Sequence, residues 1–130
     1  MNMGSIGKEC KRLAASFKYA THGLLHAIKK ERNMQIHLSV ACVVIFLAYF
    51  FAVSKIEWIL LLLCIGIVIS MESINTAIER TVDLCTQEMK PLAKQAKDTA
   101  AAAVFVFAII SVIIGLIIFT KPLLTYLNFL

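Results

Sequence analysis

A chain of 130 residues has room for one domain, and its composition excludes an ordinary soluble one. Hydrophobic residues make up 60% and charged residues 16%, with a mean hydropathy of +0.84, against roughly 45–50% and about 25% in soluble domains. The net charge is +5, and the excess is N-terminal: Lys8, Lys11, Arg12, Lys18, Lys29, Lys30 and Arg32 stand against only Glu9 and Glu31 before the first long apolar run.

Over residues 8–30, Leu13, Phe17, Ala20, Leu24 and Ile28 recur at three- and four-residue spacing, which predicts an amphipathic helix. A basic helix of that kind, too polar to span, is expected to lie in the membrane interface with its bases near anionic headgroups. Its continuous apolar face, leading directly into an apolar run, disfavours nucleic-acid binding. No compact apolar core with a small-residue cleavage site follows Met1 to Ile6, so no signal peptide is expected. His22 and His26 are four apart but have no third ligand nearby, and read as surface histidines. Asn33 is a candidate cap for the next helix, and Gln35 and His37 fall at headgroup level. Glu31, an acid among Lys29, Lys30 and Arg32, either neutralises those bases or serves a separate purpose.

Three spans are predicted, over residues 34–53, 56–85 and 94–120, the second with a cytoplasmic extension. Ser54-Lys55-Ile56-Glu57 is too short for more than a turn, so the first two spans form an antiparallel hairpin. Trp58 suits the outer interface, and Gly66 and Ser70 let helices approach closely. Pro91 cannot continue a regular helix from the preceding turn, so Cys85 to Lys94 reads as a connection. Lys121-Pro122 is expected to end the third span. Cys10, Cys42, Cys64 and Cys85 lack metal or disulfide spacing and read as free thiols. The basic N-terminus, with Arg80, Lys90, Lys94 and Lys97 in the inner loop, predicts a multi-pass plasma-membrane protein with both segments cytoplasmic.

Where the second apolar run ends, helical spacing lines up Glu72, Asn75, Thr76, Glu79 and Asp83 on one stripe. Arg80 is the only base within that stretch. Carboxylates lined up without partners repel one another and usually serve a cation, a proton or both; the alternative is the solvated face of a helix leaving a membrane. Lys94, Lys97 and Asp98 start the third span nearby, followed by four alanines that thin its surface. Oxygen-rich acidic ligands suit Mg²⁺, which binds through one or two carboxylates plus substrate phosphates. A lysine beside it would meet phosphate oxygens, and a carboxylate at the membrane boundary can accept a hydroxyl proton. Metal, cation, base and positioning are the parts that phosphoryl transfer requires.

Glu72-x-x-Asn75-Thr76-Ala77-Ile78-Glu79-x-x-Val82-Asp83, followed by Ala96-Lys97-Asp98-x-Ala100-Ala101-x-Ala103-Val104, resembles the signature of the bacterial membrane-integral diacylglycerol kinase and undecaprenol kinase family. The resemblance covers essentially the whole chain. Neither a P-loop nor a protein-kinase signature is present, and that family lacks both. The resemblance implies an all-α homotrimer, each subunit an amphipathic surface helix plus three transmembrane helices, with active sites shared between subunits. It implies a phosphotransferase that moves the γ-phosphate of Mg-ATP directly to a membrane lipid hydroxyl, without a phospho-enzyme. Carried over, Glu72 would be the general base, with Asn75 helping to hold it and the acceptor hydroxyl. Glu31 and Glu79 would hold the metal, Lys97 would meet the ATP phosphates, Asp98 would support nucleotide binding, and Arg12 and Tyr19 would lie near the nucleotide. Asp83 is left the task of holding the helix end in place. Glu31-Arg32-Asn33-x-x-Ile36-His37-Leu38 and Pro91-Leu92-Ala93-Lys94 resemble the Gram-positive branch, which favours undecaprenol over diacylglycerol; Ala102 departs from the glycine of many relatives.

Two readings compete with a lipid kinase. A small proton- or cation-coupled transporter would also carry membrane carboxylates, but those are expected near mid-span, whereas Glu72 follows the apolar run. A non-catalytic membrane adaptor would have no use for an uncompensated acidic stripe.

Overall fold

In a computed structural model, which describes residues 3–88 and 90–128, the chain is all helical. Its helices are α1 (Met3–Lys30), α2 (Arg32–Phe50), α3 (Lys55–Cys85) and α4 (Pro91–Tyr126). The last three are long and apolar enough to cross a membrane, which makes this a multi-pass membrane protein. At about 1.5 Å per residue, α3 and α4 run to roughly 46 and 54 Å, well beyond a hydrocarbon core of about 30 Å. One end of each therefore projects past the apolar layer, and at the α3–α4 connection that end carries the charged residues.

A single residue separates α1 from α2. Glu31 takes an extended conformation and caps α2 through its backbone position, without a side-chain cap bond; Asn33, the expected cap, lies inside the helix. The junction is held instead by Gln35, whose Nε2 donates to the Ile28 carbonyl at 3.1 Å and satisfies an orphan acceptor at the end of α1. Lys29 and Lys30 in the last turn of α1 suit the negative end of its dipole.

The α2–α3 turn is tight. Ala52 adopts a left-handed φ of 48°, and the Val53 amide reaches back to the Ala48 carbonyl at 3.1 Å, closing α2 in the manner usually given to glycine. Ser54 then starts α3 with a capping box: Glu57 Oε2 accepts from the Ser54 amide at 2.7 Å and Ser54 Oγ from the Glu57 amide at 3.4 Å. Beside this turn, Ala48, Leu61 and Ile118 form a buried cluster that takes in Val44, Val53, Trp58 and Phe119. Trp58 thus packs inward on the bundle.

The third span differs from expectation at both ends. Pro91 occupies the first turn of α4, where its fixed φ suits a helix and its missing N–H costs nothing. The connection is accordingly shorter than Cys85 to Lys94; its Met89 lies outside the described residues. At the other end α4 runs through Pro122 to Tyr126 instead of stopping. Proline removes the backbone bond to Ile118, a loss that spanning helices tolerate when neighbours compensate. Here Tyr126 packs edge-on against Phe50 and Phe51, with ring centroids 5.6 and 6.3 Å away, which holds the extra turns in place.

Two antiparallel registers follow from these contacts. Ala48 beside Leu61 sets α2 against α3, and Leu61 beside Ile118, together with the Lys97–Asp83 pair, sets α3 against α4. Along α2 the inward positions are Met34, Ala41 and Ala48; along α3 they are Leu61, Val68, Glu72, Asn75 and Thr76. Ala48 is fully buried in the cluster. Ala48→Leu should overpack it and lower stability by about 1–3 kcal/mol, measured by titrating the protein out of mixed micelles with SDS.

Candidate active site

The inward stripe of α3 changes character at Glu72. Up to Val68 it is hydrocarbon; from Glu72 on it is polar but still buried, with Glu72 only 3%, Asn75 4% and Thr76 6% exposed. This rules out the solvated-face alternative for the first turns of the stripe. Burying a carboxylate costs several kcal/mol unless it is paired or hydrogen-bonded, and among the described residues no side chain donates to Glu72 and no cation pairs with it. Asn75 donates through Nδ2 to Glu79 Oε1 at 3.1 Å, so it holds Glu79 and not Glu72. Its Oδ1 is buried with no partner, an acceptor left facing the site.

The stripe is less short of cations than its sequence suggests. Arg80 reaches Glu31 at 2.6 Å, and Lys97 of α4 reaches Asp83 at 2.5 Å. Two carboxylates are thereby matched, and of the acids at this end of the bundle Glu72 and Glu79 are left without a cation among the described residues. The Lys97–Asp83 pair ties the last turn of α3 to the first turns of α4. Asp98 is occupied within its own helix, by Lys94 at 2.6 Å. Of the four alanines only Ala100 is buried, and with Val104 it packs α4 onto α3 at the level of the polar stripe. Arg12 pairs with Glu9 at 3.1 Å and Tyr19 is 72% exposed; neither is hydrogen-bonded to α2, α3 or α4. Where α1 does approach α3, Ala20, Gly23, Leu24 and Ala27 face Ser73, Thr76, Ala77 and Arg80 across a gap of about 400 Å³.

An apolar groove of about 370 Å³ runs between α2, α3 and α4, lined by Val40, Val44, Leu61, Val68, Val112 and Gly115 among others. Leu47 and Phe119 line its far end, and its near end reaches His37 and Ile69, one turn before Glu72. A long hydrocarbon chain lying in it would end beside the buried carboxylate.

For a metal, the donor set fits a hard divalent cation held partly by substrate. Among the described residues no three His, Cys, Asp or Glu side chains converge into a cage of protein ligands, whereas Mg²⁺ typically takes one or two carboxylates and fills its other positions with phosphate oxygens and water. Glu79 meets that need with its cation-free carboxylate oriented by Asn75. Glu31 meets it only in exchange for Arg80.

The family model described as prokaryotic diacylglycerol kinase matches residues 18–119. This chain belongs to that family. It is 49% identical over 115 residues to an undecaprenol kinase of Bacillus subtilis, covering 88% of this chain and 94% of that protein. It is 40% identical over 114 residues to a diacylglycerol kinase of Synechocystis, covering 87% of this chain and 65% of that protein. A diacylglycerol kinase of Haemophilus influenzae is 35% identical over 108 residues, covering 82% and 92% respectively.

Within this family member, sequence reasoning passed over two residues that the fold brings to the site. Arg80 reads as a lone base but neutralises Glu31 from 49 residues away. His37 reads as a headgroup residue but is half-buried at the end of the groove; its signal was the three- and four-residue spacing from Met34 to Ala41. The exposed Asp83–Lys97 pair should contribute little on its own, so Asp83→Asn should cost less than about 1 kcal/mol in the same SDS titration.

Proposed function

We propose that this protein is an ATP-dependent lipid kinase that transfers the γ-phosphate directly to the hydroxyl of undecaprenol. The observation that carries this reading is the division of the α3 stripe: a buried Glu72 beside an apolar groove and, two turns farther from it, a Glu79 held by Asn75, neither matched by a cation among the described residues. The first suits an acceptor hydroxyl delivered by a lipid, the second a nucleotide delivered from water. The likeness to an undecaprenol kinase over 94% of its length supports the choice of acceptor. Diacylglycerol is the second reading, favoured by the diacylglycerol kinases at 40% and 35% identity.

In the mechanism, the lipid chain lies along the groove and its hydroxyl sits against Glu72. The Glu72 carboxylate, held away from water, takes the hydroxyl proton as the oxygen attacks phosphorus. Mg²⁺, when bound, supplies neutralisation of the phosphate oxygens, and Glu79 and Glu31 would hold it. Asn75 fixes Glu79, leaving its own Oδ1 as an acceptor inside the site. Lys97, released from Asp83, meets phosphate oxygens, and Asp98 supports the nucleotide. Arg12 and Tyr19, exposed on α1, approach the nucleotide when subunits assemble. We place α1 in the interface, the charged end in the cytoplasm of a plasma-membrane protein, and the working unit as a homotrimer with shared sites. The many exposed apolar side chains of the spans support burial against lipid and neighbouring subunits.

Transfer from labelled ATP in mixed micelles tests the reading, with undecaprenol and diacylglycerol offered in parallel. Undecaprenol should be labelled at the higher kcat/KM; preference for diacylglycerol moves the acceptor to the second reading, and labelling of neither overturns the kinase. Glu72→Gln and Glu79→Gln should each lose on the order of a hundredfold or more in kcat, whereas Lys97→Ala should chiefly raise the apparent KM for ATP. Chelation of divalent cations should abolish transfer, and Mg²⁺ should restore it.

A further inference from the structure

A base buried as deeply as Glu72 can take a proton once, but turnover requires that the proton leave. The α2–α3 register shows where. With Ala48 beside Leu61 in an antiparallel pair of equal rise, Ala41 falls opposite Val68 and His37 opposite Glu72. His37 occupies the inward stripe of α2 between the buried Met34 and Ala41, so it is the polar member of that stripe where Glu72 is the first polar member of the facing one. It is half-buried, with part of its surface open, at the end of the groove that stops beside Glu72. Burial dominates the surroundings of Glu72, and the charges that act on it are those of His37, Glu79 and Glu31. Two of these are committed elsewhere: Glu79 to Asn75 and Glu31 to Arg80, at 3.1 and 2.6 Å. Of the three, only the imidazole has no hydrogen-bond or ion-pair partner among the described residues.

We propose that His37 carries the acceptor's proton from Glu72 to water, resetting the base after each transfer; the proposal rests on Glu72 being that base. As the lipid oxygen bonds to the γ-phosphorus, the bond from that phosphorus to the β–γ bridging oxygen breaks and ADP leaves. The lipid O–H bond breaks in the same reaction, and its proton forms an O–H bond on Glu72. That bond then breaks in turn, its proton passing to a free ring nitrogen of His37 and from there to water, which restores the carboxylate. Imidazole suits this task because its two ring nitrogens let it take up a proton on one side and release one on the other.

Rapid-quench measurements with labelled Mg-ATP and undecaprenol in mixed micelles separate the two steps. His37→Ala and His37→Gln should keep a fast first turnover of about one phosphate per site and then slow. The steady-state rate should fall at least about tenfold, still short of the roughly hundredfold or greater loss expected without a general base. Added imidazole should raise the steady-state rate of His37→Ala and leave its first turnover unchanged. The relay is overturned if both variants turn over at the wild-type rate, or if first and later turnovers fall together with no response to imidazole. Glu72→Gln, run alongside, should lose both phases. If it keeps both, the base assignment and the relay fall together; if it loses both while the His37 variants behave as wild type, the relay alone falls.

Discussion

The buried carboxylate of Glu72 depends on α3 continuing as one unbroken helix while its inward stripe changes from hydrocarbon to polar. A break there would let water in and make the group an ordinary surface acid. What prevents a break is packing on both sides: α2 through Met34 and Ala41, and α4 through Ala100 and Val104. Alanine at two of those four positions lets the helices come close, as small residues do wherever association in a membrane is driven by van der Waals contact and not by expulsion of water. The same closeness fixes registers, and the registers determine which side chain on α2 or α4 meets each member of the stripe. Site geometry in this bundle is therefore a consequence of where alanines fall.

Charge at the polar end is distributed by the same logic. Arg80 and Lys97 engage Glu31 and Asp83 where side chains are partly open, with 44% and 37% of the two basic side chains exposed, and where an ion pair is worth little net stability. Glu72 and Glu79 lie further inward along α3 than Asp83 and receive no cation among the described residues. A scheme that matched all four acids would gain some stability and leave no carboxylate at this end free of a cation. Partial matching thus separates carboxylates engaged by a cation from carboxylates left without one among the described residues.

Much of this was legible in the chain. Blocks of apolar residues mark the span-length helices, and helical spacing alone puts Glu72, Asn75 and Glu79 on one face. Boundaries were less legible where local rules compete. Pro122 is a helix breaker by itself, yet α4 continues because Tyr126 finds Phe50 and Phe51; Pro91, for the same chemistry, starts a helix. Asn33 has the right side chain for a cap but yields to Glu31, where the chain bends. Cross-helix partners were the least legible. Arg80 and Glu31 are separated by 49 positions, and no periodicity within one helix reveals a partner on another. Once one contact fixes a register, however, the remaining pairings can be counted along the helices, which is how a histidine at an apparent headgroup position comes to face the acid.

The arrangement along α3 also bears on how two unlike substrates meet. Glu72 and Glu79 are seven residues apart, about 10 Å along the helix, with the groove approaching from the apolar side and the charged end open on the other. In the proposed reaction, a lipid anchored in the groove and a nucleotide held near Glu79 would approach from opposite directions along one axis. Phosphoryl transfer needs the attacking and leaving oxygens roughly in line with phosphorus, and opposed approach supplies that alignment without a lid or a domain closure. On that proposal a thin bundle would suffice, because the membrane would hold one substrate in place while α3 sets the distance between Glu72 and Glu79.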